Sequence, residues 1–167
     1  MIRKIGTIVP IPCFRTPRAT AAGCASLPDD RAKLVGSWRI VSFHTEIQDS
    51  GERGAPLGDA PKGYIVFMPE GRTMSYLEAG SRKPIKTDDD RAEAFRTLLA
   101  YTGKYRIEGD RFITSVDGAW NVVWVGTDQT RTFRIEGDRL PIATNWAKAP
   151  IYKNRVGRAV LVWERER

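Results

Sequence analysis

Residues 37–47, SWRIVSFHTEI, are rich in β-branched and aromatic side chains that suit a pleated, half-buried strand. Strict alternation from Trp38 sets Ile40, Ser42 and His44 on one face of that strand. The following run, QDSGERGAPLGDAPKG (48–63), is a loop by its glycines, prolines and charges. GYIVFM (63–68), PEGR (69–72) and TMSYLEA (73–79) then read as strand, tight turn and strand. Residues 87–101, TDDDRAEAFRTLLAY, carry the helical pattern. Thr87 or Asp88 is placed to cap free N–H groups, acids fill the first turn, and Phe95, Leu98 and Leu99 form a stripe.

The most informative pattern is a repeat. YRIEGDRF (105–112) and FRIEGDRL (133–140) lie 28 residues apart and agree at six positions. In each, Gly-Asp separates two runs of alternating polarity, the mark of a two-residue hairpin turn in which glycine supplies a positive φ. A period of this length is also seen in solenoids and propellers. There are two copies here and their flanks do not repeat, so they read as similar hairpins in one meander. RAVLVWERE (158–166) supplies a last strand. The sum is an all-β fold: an antiparallel up-and-down β-barrel of about eight strands with one short helix, wide enough to hold one small ligand. Residues 34–167 form this domain, and residues 1–33 form a disordered or processed tail.

Composition changes the picture in two respects. At 167 residues and 41% hydrophobic, the chain suits one domain with a real core, and no apolar run reaches the length of a membrane-spanning helix. The net charge of +7 invites a nucleic-acid reading, but residues 1–33 hold six basic and two acidic groups, whereas the barrel is nearly balanced at 21 against 18. A nucleic-acid binder concentrates its charge on the folded face, so that class is set aside. Cys13 and Cys24 both fall in the tail, where they neither staple the core nor find partners for a metal, and His44 is the single histidine. No metal and no cofactor are expected. In the tail, Arg3 and Lys4 precede IGTIVPIPCF, and ATA or AAGC offers a processing site, but prolines break the apolar run and Ala21 stands where a lipoprotein signal has leucine. A cytoplasmic protein is the expectation and an exported one the alternative.

Hairpin register names the cavity side chains. A two-residue turn pairs Glu108 with Arg111, Ile107 with Phe112, Tyr105 with Thr114 and Gly103 with Val116. In the second hairpin Ile135 meets Leu140, Phe133 meets Ile142, Arg131 meets Thr144 and Gln129 meets Trp146. Tyr105, Thr114, Gln129, Arg131 and Thr144 then point inward, while Lys104, Arg106, Thr130, Thr132 and Arg134 point outward. Arg131 is an arginine inside an apolar barrel and needs a counter-charge. Either a ligand carboxylate supplies it, or Asp117, Asp128 or Glu46 does, or the side chain leaves at the rim. His44 is a further candidate for the cavity, or else a solvated rim residue. Trp120 and Trp124 either cover the barrel mouth or pack in the wall, and Asp88, Asp89 and Asp90 are more simply a helix N-terminus than a metal cluster.

LVGSWRIVSF, PKGYIVFMPEGRTMS, AYTGKYRIEGDRF, VVWVGTDQTRTFRIEGDRL and RAVLVWERE together resemble the lipocalin-like domain family of stand-alone bacterial proteins, over roughly residues 34–166. The resemblance implies a lipocalin-type barrel in which Trp38 plugs the closed end and Arg165 or Arg158 stacks on its indole. The Thr-Asp-Tyr motif of true lipocalins is missing, and Thr114 and Ser115 stand where family members carry histidines. Three functions follow: binding of a small apolar or amphipathic molecule, one with a carboxylate included; cofactor-free isomerase or cyclase chemistry on a lipid-like or polyketide-like substrate, using His44, Tyr105, Asp117 and Arg131; or a barrel filled by its own side chains. The oligomeric state is left open.

Overall fold

The computed structural model describes residues 30–167, so Cys13 and Cys24 lie outside the described residues. The elements are α1 (Asp30–Leu34), β1 (Gly36–Ile47), β2 (Arg53–Gly54), β3 (Lys62–Phe67), β4 (Arg72–Glu78), α2 (Asp88–Arg96), β5 (Leu98–Glu108), β6 (Arg111–Ala119), β7 (Asp128–Phe133), β8 (Arg139–Thr144), β9 (Ala147–Lys148) and β10 (Val156–Arg165). Neighbours in the sheet follow the order β2-β1-β3-β4-β5-β6-β7-β8-β10-β9, and β1 also pairs with β10. The eight long strands therefore close into an antiparallel barrel, which removes the exposed edges of an open sheet. β2 and β9 are two-residue additions at its margin.

Both repeats form the expected hairpins. Gly109 and Gly137 turn at φ 61° and 63°, in the left-handed region that glycine enters without a Cβ clash. Glu108 pairs with Arg111, Tyr105 with Thr114 and Gly103 with Val116 in the first hairpin; Phe133 pairs with Ile142 and Arg131 with Thr144 in the second. The second ladder ends at Arg131–Thr144, so the expected Gln129–Trp146 pair does not form and the two strands part there.

The helix differs from its sequence pattern. Thr87 caps α2 in a reciprocal box with Asp90, and the three aspartates fill the first turn as expected. The helix nevertheless stops at Arg96, and Leu98 and Leu99 begin β5. Phe95 is exposed on the outside, and the residues of α2 are all half-buried or exposed. The apolar stripe thus belongs to two elements, because sheet pairing of Leu98 and Leu99 with Glu78 and Leu77 overrides a weak local preference.

Hairpin turns and α1 gather at one end of the barrel and close it. Trp38 is fully buried there, and its indole N–H donates to the carbonyl of Leu34 at 2.9 Å. The Arg165 guanidinium lies 4.1 Å from the Trp38 ring centroid and donates to the carbonyls of Val35 and Lys33. Arg165 is therefore the stacking partner, while Arg158 stacks on Trp146 at 4.6 Å. Gly36 is favoured by its φ of 131°, which lies in the positive region, and a Cβ there would also displace the Arg165 guanidinium, met at 2.9 Å. Arg31 also donates to the carbonyl of Pro69, so residues 31–34 pack against the closed end and the barrel's contacts begin before Leu34.

Above this plug, Phe67 meets Tyr105 and Phe112 edge-on at 5.2 and 5.1 Å, and Phe133 extends the cluster. Replacing Trp38 with alanine removes the centre of the plug and is expected to cost about 3–5 kcal/mol in urea unfolding. An unchanged unfolding midpoint would show that the plug does not carry the closed end.

Candidate ligand cavity

The opposite end stays open. Its rim is built by the connections 48–61, 79–97, 120–127 and 145–155, the last two containing the short 3-10 turns Val122–Trp124 and Pro150–Tyr152. Between rim and aromatic cluster lies a cavity of about 340 Å³, at the small end of the range for ligand sites. Ile65, Phe112 and Trp163 form its deep part, Phe43, Ile142 and Leu161 its walls, and Tyr101, Trp124 and Ile151 stand towards the mouth. Polar groups enter from β7 and β8: Gln129 and Arg131 on one strand, Thr144 on its neighbour, with Asn145 just beyond.

Arg131 is half-buried. One guanidinium nitrogen donates to the carbonyl of Thr130 at 2.9 Å, and the other donates to Gln129 Oε1 at 3.2 Å. Gln129 in turn donates to Thr127 Oγ1 at 3.0 Å, which fixes its amide with the oxygen towards Arg131. The guanidinium carbon lies 6.0 Å from the Trp124 ring centroid. These partners are neutral, and among the described residues Arg131 forms no ion pair. Two of its five N–H donors are thereby used.

The three carboxylates proposed from sequence as its counter-charge are committed elsewhere. Asp117 receives both Arg72 nitrogens, at 2.8 and 3.2 Å, and these hydrogen bonds hold its carboxyl below the ordinary aspartate range. Asp128 accepts from Ser115 Oγ at 2.7 Å and from Arg106 at 3.2 Å, and its pKa is lowered chiefly by the serine and then by the arginine. Glu46 receives Arg158 at 2.8 Å and Arg53 at 3.0 Å, with His44 Nε2 at 3.3 Å. Its pKa is lowered, the Arg158 hydrogen bond outweighing burial.

Of the six side chains singled out from sequence, Arg131, Gln129 and Thr144 line the cavity. Tyr105 and Thr114 face the interior as their register requires, but packing covers both. Tyr105 lies in the aromatic cluster and donates to the carbonyl of Met68 at 3.2 Å, and Thr114 is fully buried in the wall. His44 is a correction of orientation. A β-bulge at Val41 shifts the register, so that Ile40 faces Trp163 but Ser42 faces Val162. From there Phe43, Thr45 and Ile47 are buried while Ser42, His44 and Glu46 turn to the outer face. His44 is therefore removed from the cavity, and Asp117 also sits outside, half exposed beside Arg72. The same bulge delivers Phe43 to the cavity wall, a residue that strict alternation hides. Tyr101 was missed because the helical pattern ran across it, although it alternates with Gly103 and Tyr105. Asp128 and Thr130 also border the cavity, at the part of β7 that has lost its β8 neighbour, with the Asp128 carboxylate turned to Ser115 and Arg106.

A closed eight-stranded antiparallel barrel, plugged by tryptophan and arginine at one end and hollow at the other, defines a calyx-type protein. Residues 35–166 match the model of the lipocalin-like domain, and the chain belongs to that family. A search of curated proteins found no match.

The Glu46 cluster ties β10 to β1 and β2, with Arg158 also holding Trp146 at the rim. Because the folded-state pKa of Glu46 is depressed, its contribution to stability is complete above the ordinary value of 4.5 and is lost as pH falls through the lower folded value. Glu46→Gln is thus expected to lower the urea midpoint at pH 7, and the gap from the parent protein should narrow steadily below pH 4.5. A gap independent of pH would mean that the carboxylate's charge contributes nothing there.

Proposed function

We propose that the protein binds a small amphipathic molecule, with an apolar body in the barrel and a carboxylate at Arg131. The observation that carries this reading is a half-buried guanidinium facing an apolar cavity with neutral partners, while Asp117, Asp128 and Glu46 are paired elsewhere. Desolvating a cation is unfavourable, and a planar guanidinium matches a carboxylate in two-point geometry. Gln129, fixed by Thr127, orients the fork, and Thr144 offers a hydroxyl on the neighbouring strand. Arg131 pairs with Thr144 at the open end of β8, whereas Trp163 pairs with Leu140 near the plug, so the ligand enters with its apolar end first and leaves its acid below the rim. The small volume favours a medium-chain or compact cyclic acid over a long acyl chain.

The test is Arg131→Met, titrated calorimetrically with decanoate and with decanol. No carboxylate of the protein is stranded by this change, so stability is expected to stay within about 1 kcal/mol. Decanoate affinity is expected to fall about 10- to 100-fold, the worth of charge-assisted hydrogen bonds, while decanol binding holds. Equal decanoate binding by both proteins would remove Arg131 from the site, and a loss of several kcal/mol of stability would make it a structural residue.

A further inference from the structure

The connection between β6 and β7 has an unusual surface. No charged residue occurs between Asp117 and Asp128. Val122 and Val123 sit at its tip with 77% and 70% of their surface exposed, and Val125 is exposed behind them. The turn satisfies much of its own backbone. Val123 N–H donates to the side chain of Asn121, Trp124 N–H to the carbonyl of Asn121, Val125 N–H to that of Val122, and Thr127 N–H to that of Trp124. Gly126 N–H donates to the carbonyl of Val116, and Thr127 Oγ1 donates to that of Trp124. These groups do not need water, which lowers the cost of bringing the turn against an apolar phase.

The tip is also continuous with the cavity. Rings run from Phe95 on α2 to Trp120 at 6.3 Å, on to Trp124 at 5.0 Å and then to Tyr101 at 5.6 Å, and the last two line the cavity. The neighbouring rim connection, residues 145–155, carries Lys148, Lys153 and Arg155 with no acid. Lys153 and Arg155 pair with Glu52 and Asp49, and Lys148 forms no ion pair among the described residues.

We infer that this lip docks on a lipid bilayer, with Val122 and Val123 inserted among the acyl chains and Lys148 against anionic headgroups. Two convex apolar knobs on a turn that makes most of its own hydrogen bonds suit a fluid hydrocarbon phase, where a protein partner would call for more exposed hydrogen-bonding groups at the contact. The inference extends the ligand reading, since an amphipathic acid partitions into bilayers and the ring path leads from the lip to Arg131, but docking is measured without any ligand.

The experiment is flotation of the full chain with vesicles of phosphatidylcholine, alone or with phosphatidylglycerol, comparing the parent protein with the double variant Val122→Asp, Val123→Asp. Both positions are exposed, and matching thermal melts confirm the fold. The parent is expected to float with the vesicles, more strongly with phosphatidylglycerol, and the variant to partition on the order of tenfold more weakly. No flotation of the parent overturns the inference. Equal flotation of both proteins also overturns it, because the contact then lies elsewhere on the chain. Decanoate titration of the same variant in vesicle-free solution reports on the cavity: lost flotation with intact binding supports docking by the lip, and intact flotation with no binding by the parent leaves the lip standing while the ligand reading falls.

Discussion

The pairing of β1 with β10 is the constraint on which the rest depends. It converts a meander of hairpins into a closed barrel, and so decides which side of every strand is interior. The two strands run together from Trp38–Arg165 to Ile47–Gly157, and their first pair is also the plug. One contact thus joins the chain's two distant strands, seals an end and defines the depth from which the cavity begins. The bulge at Val41 is part of the same pairing. It reverses the faces of β1 midway, placing Trp38 and Ile40 inside near the plug and Phe43 inside at the cavity.

Charge is distributed around that closure in a consistent way. On the outer face arginines meet acids: Arg72 with Asp117, Arg106 with Asp128 and Arg158 with Glu46. These pairs are partly solvated and stabilise modestly, but they lower the pKa of each acid and keep it charged on the outside. Arg165 is satisfied by backbone carbonyls and an indole. Arg131 differs from all of these, because its register turns it inward while the acids within reach of the same strands turn outward. The alternation that builds the barrel wall therefore also isolates the cation in the cavity.

Much of the fold was legible. The repeated Gly-Asp turns set two hairpin registers because a two-residue turn leaves no freedom in pairing, and those registers placed Arg131 and Thr144 opposite each other. The plug was legible through the family resemblance carried by the early Gly-x-Trp, and the burial of Trp38 under Arg165 agrees with it. The helix cap was equally local, whereas its end was not: Leu98 and Leu99 continue a helical pattern and are claimed by β4. The site was legible in half. Arg131, Gln129 and Thr144 follow from register, but whether an inward side chain reaches open space depends on what packs over it, which covers Tyr105 and Thr114. His44 followed an alternation that breaks at Val41, where two apolar residues in succession, Ile40 and Val41, were the available signal.

The sequence by itself determined most of the strands, the hairpin turns and the inward face of the repeats, because each rests on alternation or on a backbone conformation set within a few residues. Only the tertiary structure decided that β1 carries a bulge and that Arg165, not Arg158, stacks on Trp38. It alone decided that the three candidate acids are engaged outside and that a cavity remains above Phe112. Those outcomes depend on partners from 22 to more than a hundred residues apart, or on space left after packing, and neither quantity is written in any local run of the chain.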